Sequence, residues 1–140
     1  MTDKVPTARP STDDEYFEEL TKSVFQGGLS WQVIEAKWPG FRRAFSNFSV
    51  REVSDYLPED VDRLMSDRQI VRNLQKIEAT IENAAEMLLV GIEYGSFRAY
   101  LESFETPEAA AEDVAGRFRQ VGRSAAAAFV HRVTGQPVAC

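Results

Sequence analysis

Apolar residues recur at helical spacing along most of this chain. The longest such run repeats at i, i+3, i+4 and i+7, and it comprises Ile70, Leu74, Ile77, Ile81, Ala84, Ala85 and Leu88. A second run forms a wide aromatic stripe made of Trp31, Ile34, Trp38, Phe41 and Phe45. No segment alternates apolar and polar residues between turn signals, as a half-buried β-strand would. The pattern therefore predicts an all-α protein.

Cap and turn residues set the predicted helix boundaries. Hydroxyl and acidic side chains favour a helix start, proline favours the first turn, and glycine favours the end. The predicted helices cover residues 13–25, 30–45 with a bend or break at Pro39-Gly40, a short stretch from Ser49, 58–65, 70–91, 96–104, 107–118 and 124–133.

The length of 140 residues corresponds to one domain. Residues 1–12 are rich in Pro and Thr and are expected to form a flexible arm, while residues 13–140 form a single helical domain. No repeat appears at the spacing typical of solenoid proteins. A compact multi-helix bundle is therefore expected.

The content of cysteine and histidine limits the chemistry that the chain can perform. Cys140 is the one cysteine and His131 the one histidine, so an internal disulfide is excluded and neither a structural metal site nor a cofactor is expected. No apolar stretch is long enough to span a bilayer, and the N-terminal residues lack the apolar core of a secretory signal. A cytoplasmic protein is expected.

Charge is segregated along the chain, although the net charge is only −6. Residues 77–113 contain nine acidic residues and a single base, Arg98, whereas residues 114–140 contain four arginines and no acid. A basic segment of this kind suits a polyanion such as DNA, although a solvated surface explains it equally well. The acidic segment is interpreted as a solvated helix face.

Three segments, in this order, resemble the 3-methyladenine DNA glycosylase I family of the helix-hairpin-helix DNA glycosylase superfamily. The first runs from Phe17-Glu18-Glu19-Leu20 to Gln26-Gly27-Gly28-Leu29-Ser30-Trp31, which is similar to that family's signature. The second spans residues 41–84, and the third is Phe118-Arg119-Gln120-Val121-Gly122-Arg123-Ser124. With their flanking residues they cover roughly residues 16–84 and 96–135, most of the chain.

The resemblance implies a shortened helical bundle of the helix-hairpin-helix glycosylase type. It implies a hydrolase of base excision repair that flips an alkylated, 3-methyladenine-like purine out of double-stranded DNA and cleaves its N-glycosidic bond. A monomer is expected. An alternative is a catalytically inactive DNA-binding or damage-recognition module of the same fold, and a third hypothesis is a bundle that binds a protein partner through its acidic face.

The glycine-containing turn is the predicted DNA wedge. By resemblance, Leu29 would enter the duplex, Gln26 would line the gap, and Gly27 and Gly28 would let the backbone approach the base stack. Without the resemblance, the two glycines would simply end a helix.

The predicted base pocket consists of Trp31, Ser23 and Phe25. Trp31 offers a flat surface for an extruded base, although core packing is the alternative. Ser23 stands eight residues before this tryptophan, where the family carries its pocket glutamate. Glu19, one helical turn earlier, is the one substitute carboxylate that can be nominated for catalysis, although a surface role fits it as well.

Two segments are predicted to contact the DNA backbone. Gly122, Arg123 and Ser124 lie between two helices, where backbone N–H groups and a guanidinium can bind a phosphate. Arg72, Asn73 and Lys76 form the second, with Arg72 and Lys76 expected on one helix face. The functional hypothesis requires that Trp31 and the segment of Gly122, Arg123 and Ser124 face the same side of the molecule.

Overall fold

The computed structural model describes residues 9–28 and 30–139. Within those ranges the protein consists of eight α-helices and one short 3-10 turn, without strands. The helices are α1 (Asp13–Gln26), α2 (Trp31–Ala44), α3 (Val50–Ser54), α4 (Pro58–Met65), α5 (Leu74–Tyr94), α6 (Phe97–Glu102), α7 (Pro107–Arg117) and α8 (Arg123–Thr134), with the 3-10 turn at Ser46–Phe48. The predicted all-α class is confirmed. Most of the predicted arm, residues 1–8, lies outside the described residues, as do Leu29 and Cys140.

The first helix is fixed at its start by a capping box. The Thr12 hydroxyl accepts from the Glu15 backbone N–H at 3.2 Å, and the Glu15 carboxylate accepts from the Thr12 N–H at 3.1 Å. One face of α1 is buried and packs against α5 and α8. Helix α1 therefore lies at the centre of the molecule and carries the candidate site at its C-terminal end.

Helix α2 continues through Pro39-Gly40, where the sequence predicts a bend or a break, so a break is excluded. The neighbours Trp38 and Phe41 are 4% and 0% exposed, and this packing fixes the helix on both sides of the proline. Gly40 lies against the backbone of Gln69, where a Cβ atom would collide. Tertiary packing here outweighs the intrinsic cost of proline in a helix.

Helix α5 begins and ends later than the apolar spacing predicts. Asn73 is its N-cap, with Oδ1 accepting from the Lys76 N–H at 3.0 Å, so residues 70–73 precede the helix. The helix passes through Gly91 and ends at Gly95, whose φ of 91° favours glycine. The prediction that Arg72 and Lys76 share one helix face is therefore wrong.

Aromatic side chains fill the core between these helices. Trp38 stacks on Phe48 with ring centres 5.1 Å apart, and Phe97 contacts Phe118 and Phe129 from α6. The remaining helix predictions are close: α7 ends at Arg117, α8 starts one residue early at Arg123, and α6 ends at Glu102. None of the described helices combines the length and the hydropathy needed to cross a bilayer.

Candidate nucleic-acid interface and base site

A glycine turn leaves the C-terminal end of α1. Gly27 and Gly28 are both exposed, and Gly28 has a φ of 84°, a conformation that other residues rarely adopt. The space around Gly28 is open, so the backbone conformation is what requires glycine there. Gln26 is half-buried at the start of the turn, and the predicted wedge Leu29 lies outside the described residues.

The side chain of Lys76 stabilises the glycine turn through hydrogen bonds to its backbone. Its ammonium donates to the carbonyl oxygens of Val24 and Gly27, each at 2.7 Å. The last turn of α1 has no basic residue of its own, so Lys76 supplies the positive charge that stabilises this helix end. Burial lowers the pKa of the Lys76 side chain. In the structure the Lys76 ammonium therefore binds the backbone of the turn and does not extend outwards, as a contact to a phosphate would require.

The side chain of Asn83 binds the backbone of the loop between α7 and α8. Its Oδ1 accepts from the Arg119 N–H at 2.7 Å, and its Nδ2 donates to the Arg119 carbonyl at 3.1 Å. Asn83 is 2% exposed, so this reciprocal pair is buried. It anchors the chain just before Gln120, whose φ is 60°, and Gly122, which caps α8. Sequence reasoning missed this anchor, because the two partners are far apart in the chain.

The two anchors lie on one face of α5. Asn83 lies seven positions after Lys76, which is almost two full helical turns, or about 10 Å along the axis. Thr80, fully buried, lies between them on the same face. One face of α5 therefore supports both the glycine turn and the α7–α8 hairpin.

The arginines of residues 114–140 form ion pairs with glutamates that come from other segments of the chain. Arg117 pairs with Glu86 and Glu93, Arg119 lies 3.6 Å from Glu82, Arg123 lies 3.9 Å from Glu112, and Arg132 lies 3.0 Å from Glu19. The sequence of residues 114–140 contains no acid and therefore predicts arginines without acidic neighbours. This prediction is wrong, because α5 and α7 bring acidic residues next to this segment. Arg119 and Arg123 remain 72% and 89% exposed, and ion pairs this exposed contribute little.

The hairpin retains the features of an anion-binding loop. Gly122, Arg123 and Ser124 are exposed at the N-terminal end of α8, a helix of 12 residues. Free N–H groups and the positive end of the helix dipole favour anions at such a position. Arg72 is exposed and Asn73 half-buried just before α5, the helix whose Lys76 supports the glycine turn.

Trp31 begins α2 directly after the glycine turn. Ser30 caps this helix by accepting from the Val33 N–H at 3.3 Å. Trp31 is 47% exposed, whereas Trp38 is buried. The Lys22 ammonium lies 5.9 Å from the centre of the Trp31 ring and 5.3 Å from that of Trp38. Trp31 therefore presents an aromatic face at the surface, next to a lysine.

Ser23 and Glu19 belong to one network with Arg132 of α8. Arg132 Nη2 donates to Ser23 Oγ at 2.8 Å and to the Glu19 carbonyl at 3.2 Å, and its Nε donates to the Glu19 carboxylate at 3.0 Å. Ser23 Oγ also donates to the Glu19 carbonyl at 3.3 Å. The nominated carboxylate is therefore ion-paired, and the hydroxyl of Ser23 is fully engaged.

The profile of the methyladenine glycosylase family matches residues 6–129. The chain belongs to this family. DNA-3-methyladenine glycosylase 1 of Escherichia coli is 38% identical over 80 residues, which cover 56% of this chain and 43% of that protein. DNA-3-methyladenine glycosylase of Haemophilus influenzae is 27% identical over 107 residues, which cover 76% and 58%. The matches span about half the length of these curated relatives.

Solved structures share the fold. The 3-methyladenine DNA glycosylase I of Staphylococcus aureus superimposes with a TM-score of 0.81 at 24% identity, over 90% of this chain and 78% of that one. A solution structure of 3-methyladenine DNA glycosylase I gives a TM-score of 0.72 at 25% identity, over 94% and 81%. The predicted glycosylase-type helical bundle is confirmed.

The predicted pocket of this methyladenine glycosylase family member is only partly accessible. Phe25 is 0% exposed and packs edge-on against Phe41 with ring centres 4.7 Å apart, so its ring lies in the core. Ser23 is 5% exposed. Among the three predicted pocket residues, Trp31 alone offers a large open surface.

Among the described residues, no cluster of ligands of the kind that holds a structural zinc ion is formed. Within residues 9–28 and 30–139, no three His, Cys, Asp or Glu side chains converge in a way that could hold a metal ion. His131 is exposed on α8, and Cys140 lies outside the described residues. A site of this kind requires four such ligands around one ion.

Proposed function

We propose that this chain is a DNA glycosylase of base excision repair, which flips an alkylated purine out of duplex DNA and hydrolyses its N-glycosidic bond. Membership of the methyladenine glycosylase family supports the reaction class. The observation that carries the proposal is the support of the glycine turn and the hairpin by one face of α5, through Lys76 and Asn83. A duplex can contact both loops at once, while Trp31 is exposed beside the turn.

In this proposal the glycine turn opens the base stack. Extruding a base costs a few kcal/mol, and an inserted group must hold the gap open. Gln26 and Leu29 would enter the gap, while Gly27 and Gly28 bring the backbone close to the neighbouring bases. Lys76 keeps the turn in shape, which is how it would contribute to DNA binding.

The hairpin binds the DNA backbone. Gly122, Arg123 and Ser124 contribute N–H groups, a guanidinium and a hydroxyl at the N-terminal end of α8. Arg72 adds a second exposed cation just before α5, and Asn73 fixes the start of the helix that carries both anchors.

The extruded base stacks on Trp31, an interaction worth ~1–3 kcal/mol for a base on an aromatic side chain. An N-alkylated purine carries a positive charge and leaves as a neutral molecule, so it needs no proton from the protein. The remaining task is to stabilise the oxocarbenium-like sugar, for which a nearby anion is suited. Glu19 is the candidate for this role, with Arg132 fixing its carboxylate.

The second candidate function is a damage-recognition module that binds DNA without catalysis. One observation favours it: the carboxylate of Glu19 is paired with Arg132, and Ser23 offers no charge. In both cases the partner is double-stranded DNA with a damaged base, bound by a cytoplasmic monomer. Residues 13–140 would act as one domain, preceded by the arm of residues 1–12.

Base release from methylated duplex DNA tests the proposal. The wild-type protein is expected to release methylated purines, and Trp31→Ala is expected to lose most of that activity while keeping its fold, because Trp31 is half-exposed. Binding to the damaged duplex without release above background, even at excess protein, would favour the recognition module instead.

A further inference from the structure

Helix α5 is apolar on two opposite sides. The side that carries Ile77, Ala84 and Met87 is fully buried in the core. On the other side, Leu89 is 52% exposed and Ile92 is 80% exposed, although both are large apolar residues. Monomeric soluble proteins rarely leave large apolar side chains grouped at the surface, and such groups mark interaction sites. The exposed side of α5 is therefore a candidate docking surface.

The apolar residues on this side of α5 form one continuous stripe. They stand at i, i+4, i+7, i+8 and i+11, a spacing that keeps them on a single side of a helix. We call this stripe the outer face of α5, and it comprises Ile81, Ala85, Leu88, Leu89 and Ile92. It extends over three helical turns, or about 17 Å. Another helix with apolar residues at the same spacing fits such a stripe, because the ridges of one helix pack into the grooves of the other.

The outer face points away from the contacts that support the two proposed DNA-binding loops. Ala85 lies nine positions after Lys76, and Ile92 lies nine positions after Asn83. Nine positions correspond to two and a half helical turns, so these residues lie on opposite sides of α5. A partner on the outer face would therefore leave the glycine turn and the hairpin open to DNA.

The charge beside the outer face is negative. Helix α5 carries four glutamates and a single base, Lys76, whose ammonium binds the glycine turn on the other side. Arg117 and Arg119 pair with some of these glutamates, which leaves two more acids than bases along this border. A positively charged partner complements such a border. In an antiparallel pairing of two α5 helices the same acids would face one another, so a second copy of this chain fits less well.

We propose that the outer face of α5 docks a basic amphipathic helix of a partner protein. The apolar side chains of that helix pack against Ala85, Leu88 and Ile92, as in other complexes in which an amphipathic helix lies on an apolar surface. Its lysines or arginines lie beside Glu78 and Glu82, which are exposed on the same side of α5. The site is separate from the proposed DNA-binding surface, so the protein can hold the partner and a duplex together.

Titration of the isotope-labelled full chain with two synthetic peptides tests the proposal. Both peptides are amphipathic helices of about five turns with the same leucine stripe. Their polar positions are all lysine in the first peptide and all glutamate in the second. Binding is followed by NMR through the backbone amide signals of Leu88, Leu89 and Ile92.

Three double variants show which side chains bind the peptide. Leu89→Gln with Ile92→Gln removes the two most exposed apolar side chains of the stripe, and glutamine preserves the helix. Val33→Gln with Leu57→Gln is the matched control, because both residues are exposed apolar residues elsewhere on the surface. Glu78→Gln with Glu82→Gln removes acidic charge from the border.

The lysine peptide is expected to shift the signals of the outer face, and the glutamate peptide is expected to leave them in place. The changes at Leu89 and Ile92 should weaken binding about tenfold, those at Glu78 and Glu82 several-fold, and the control changes hardly at all. Equal binding of both peptides, shifts confined to other helices, or no effect of the changes at Leu89 and Ile92 would overturn the proposal.

Two further measurements identify other uses of the outer face. Sedimentation of the wild type is expected to show no self-association through this face, and a dimer that Leu89→Gln with Ile92→Gln abolishes would overturn the proposal in favour of a second copy. The same variant is expected to bind duplex DNA with wild-type affinity. A loss of DNA affinity in the folded variant would make the outer face part of the DNA-binding surface and would also overturn the proposal.

Discussion

Arg132 of the last helix donates to Ser23 of the first helix at 2.8 Å and binds the Glu19 carboxylate at 3.0 Å. This contact joins positions more than a hundred residues apart and closes α8 onto α1 next to the candidate base site. It places a cation beside Ser23, the position where the family resemblance implies an anion.

Replacing Arg132 should lower stability. In Arg132→Met, Ser23 loses a charged donor and Glu19 loses its closest partner, so we expect the free energy of unfolding to fall by about 1–2 kcal/mol. Urea denaturation measures the difference. Arg51→Met is the control, because Arg51 is exposed on α3, and it should cost less than ~0.5 kcal/mol. Equal losses in both variants would contradict the role given to Arg132.

Asn83 should be required for both stability and DNA binding. Asn83→Ala leaves the N–H and the carbonyl of Arg119 without their buried partner, which should cost about 2–3 kcal/mol. Because the same contacts hold the hairpin, affinity for duplex DNA should fall as well, under conditions where the variant is still folded. Gln75→Ala, an exposed change on the same helix, should alter neither quantity. A folded Asn83→Ala protein with wild-type affinity for DNA would show that the hairpin does not depend on this anchor.

Arg123 should contribute to DNA affinity through charge. Arg123→Ala removes one exposed guanidinium at the N-terminal end of α8, so affinity for duplex DNA should fall, and the slope of log K against log salt concentration should decrease by about 1. Fluorescence anisotropy at several salt concentrations measures both. Arg98→Ala removes the same charge from α6, at the far end of α5, and should leave the slope unchanged. Identical slopes for Arg123→Ala and the wild type would exclude a phosphate contact.

Glu15 should make stability depend on acidity. Hydrogen bonds from the backbone N–H groups of Ser11 and Thr12 hold the pKa of Glu15 below its ordinary value. A carboxyl whose pKa is lowered on folding stabilises the protein above its unfolded pKa, and this contribution is lost as pH falls through the folded pKa. The wild type should therefore lose more stability on acidification than Glu15→Gln, as measured by thermal melts across the acid range. Parallel curves for the two proteins would remove Glu15 from the acid response.

Local signals in the sequence predicted the elements of the fold well. Thr12, Ser30 and Thr106 cap helices as their positions indicate, because a side-chain oxygen three residues before a free N–H acts within a single turn. Of the bend or break predicted at Pro39-Gly40, a break is absent because Gly40 packs on Gln69 and the neighbouring aromatic rings are buried, and local propensity does not contain this tertiary information.

The candidate site was predictable in its residue types but not in its contacts. The glycine turn and the exposed Trp31 stand where the sequence signature suggests. The partners that complete the site come from distant segments: Lys76 reaches Gly27 from 49 residues away, and Arg132 reaches Ser23 from 109. Such pairings follow from helix packing, and no spacing rule within one segment reports them.

The central claim is that the glycine turn with Trp31 and the α7–α8 hairpin bind one duplex together. The most direct test is an NMR titration of the labelled protein with a short duplex that contains a methylated purine. We predict that the amide signals of Gly28 and Gly122 and the indole signal of Trp31 all shift along a single binding curve. Shifts at one loop alone, or two curves with different affinities, would contradict the account.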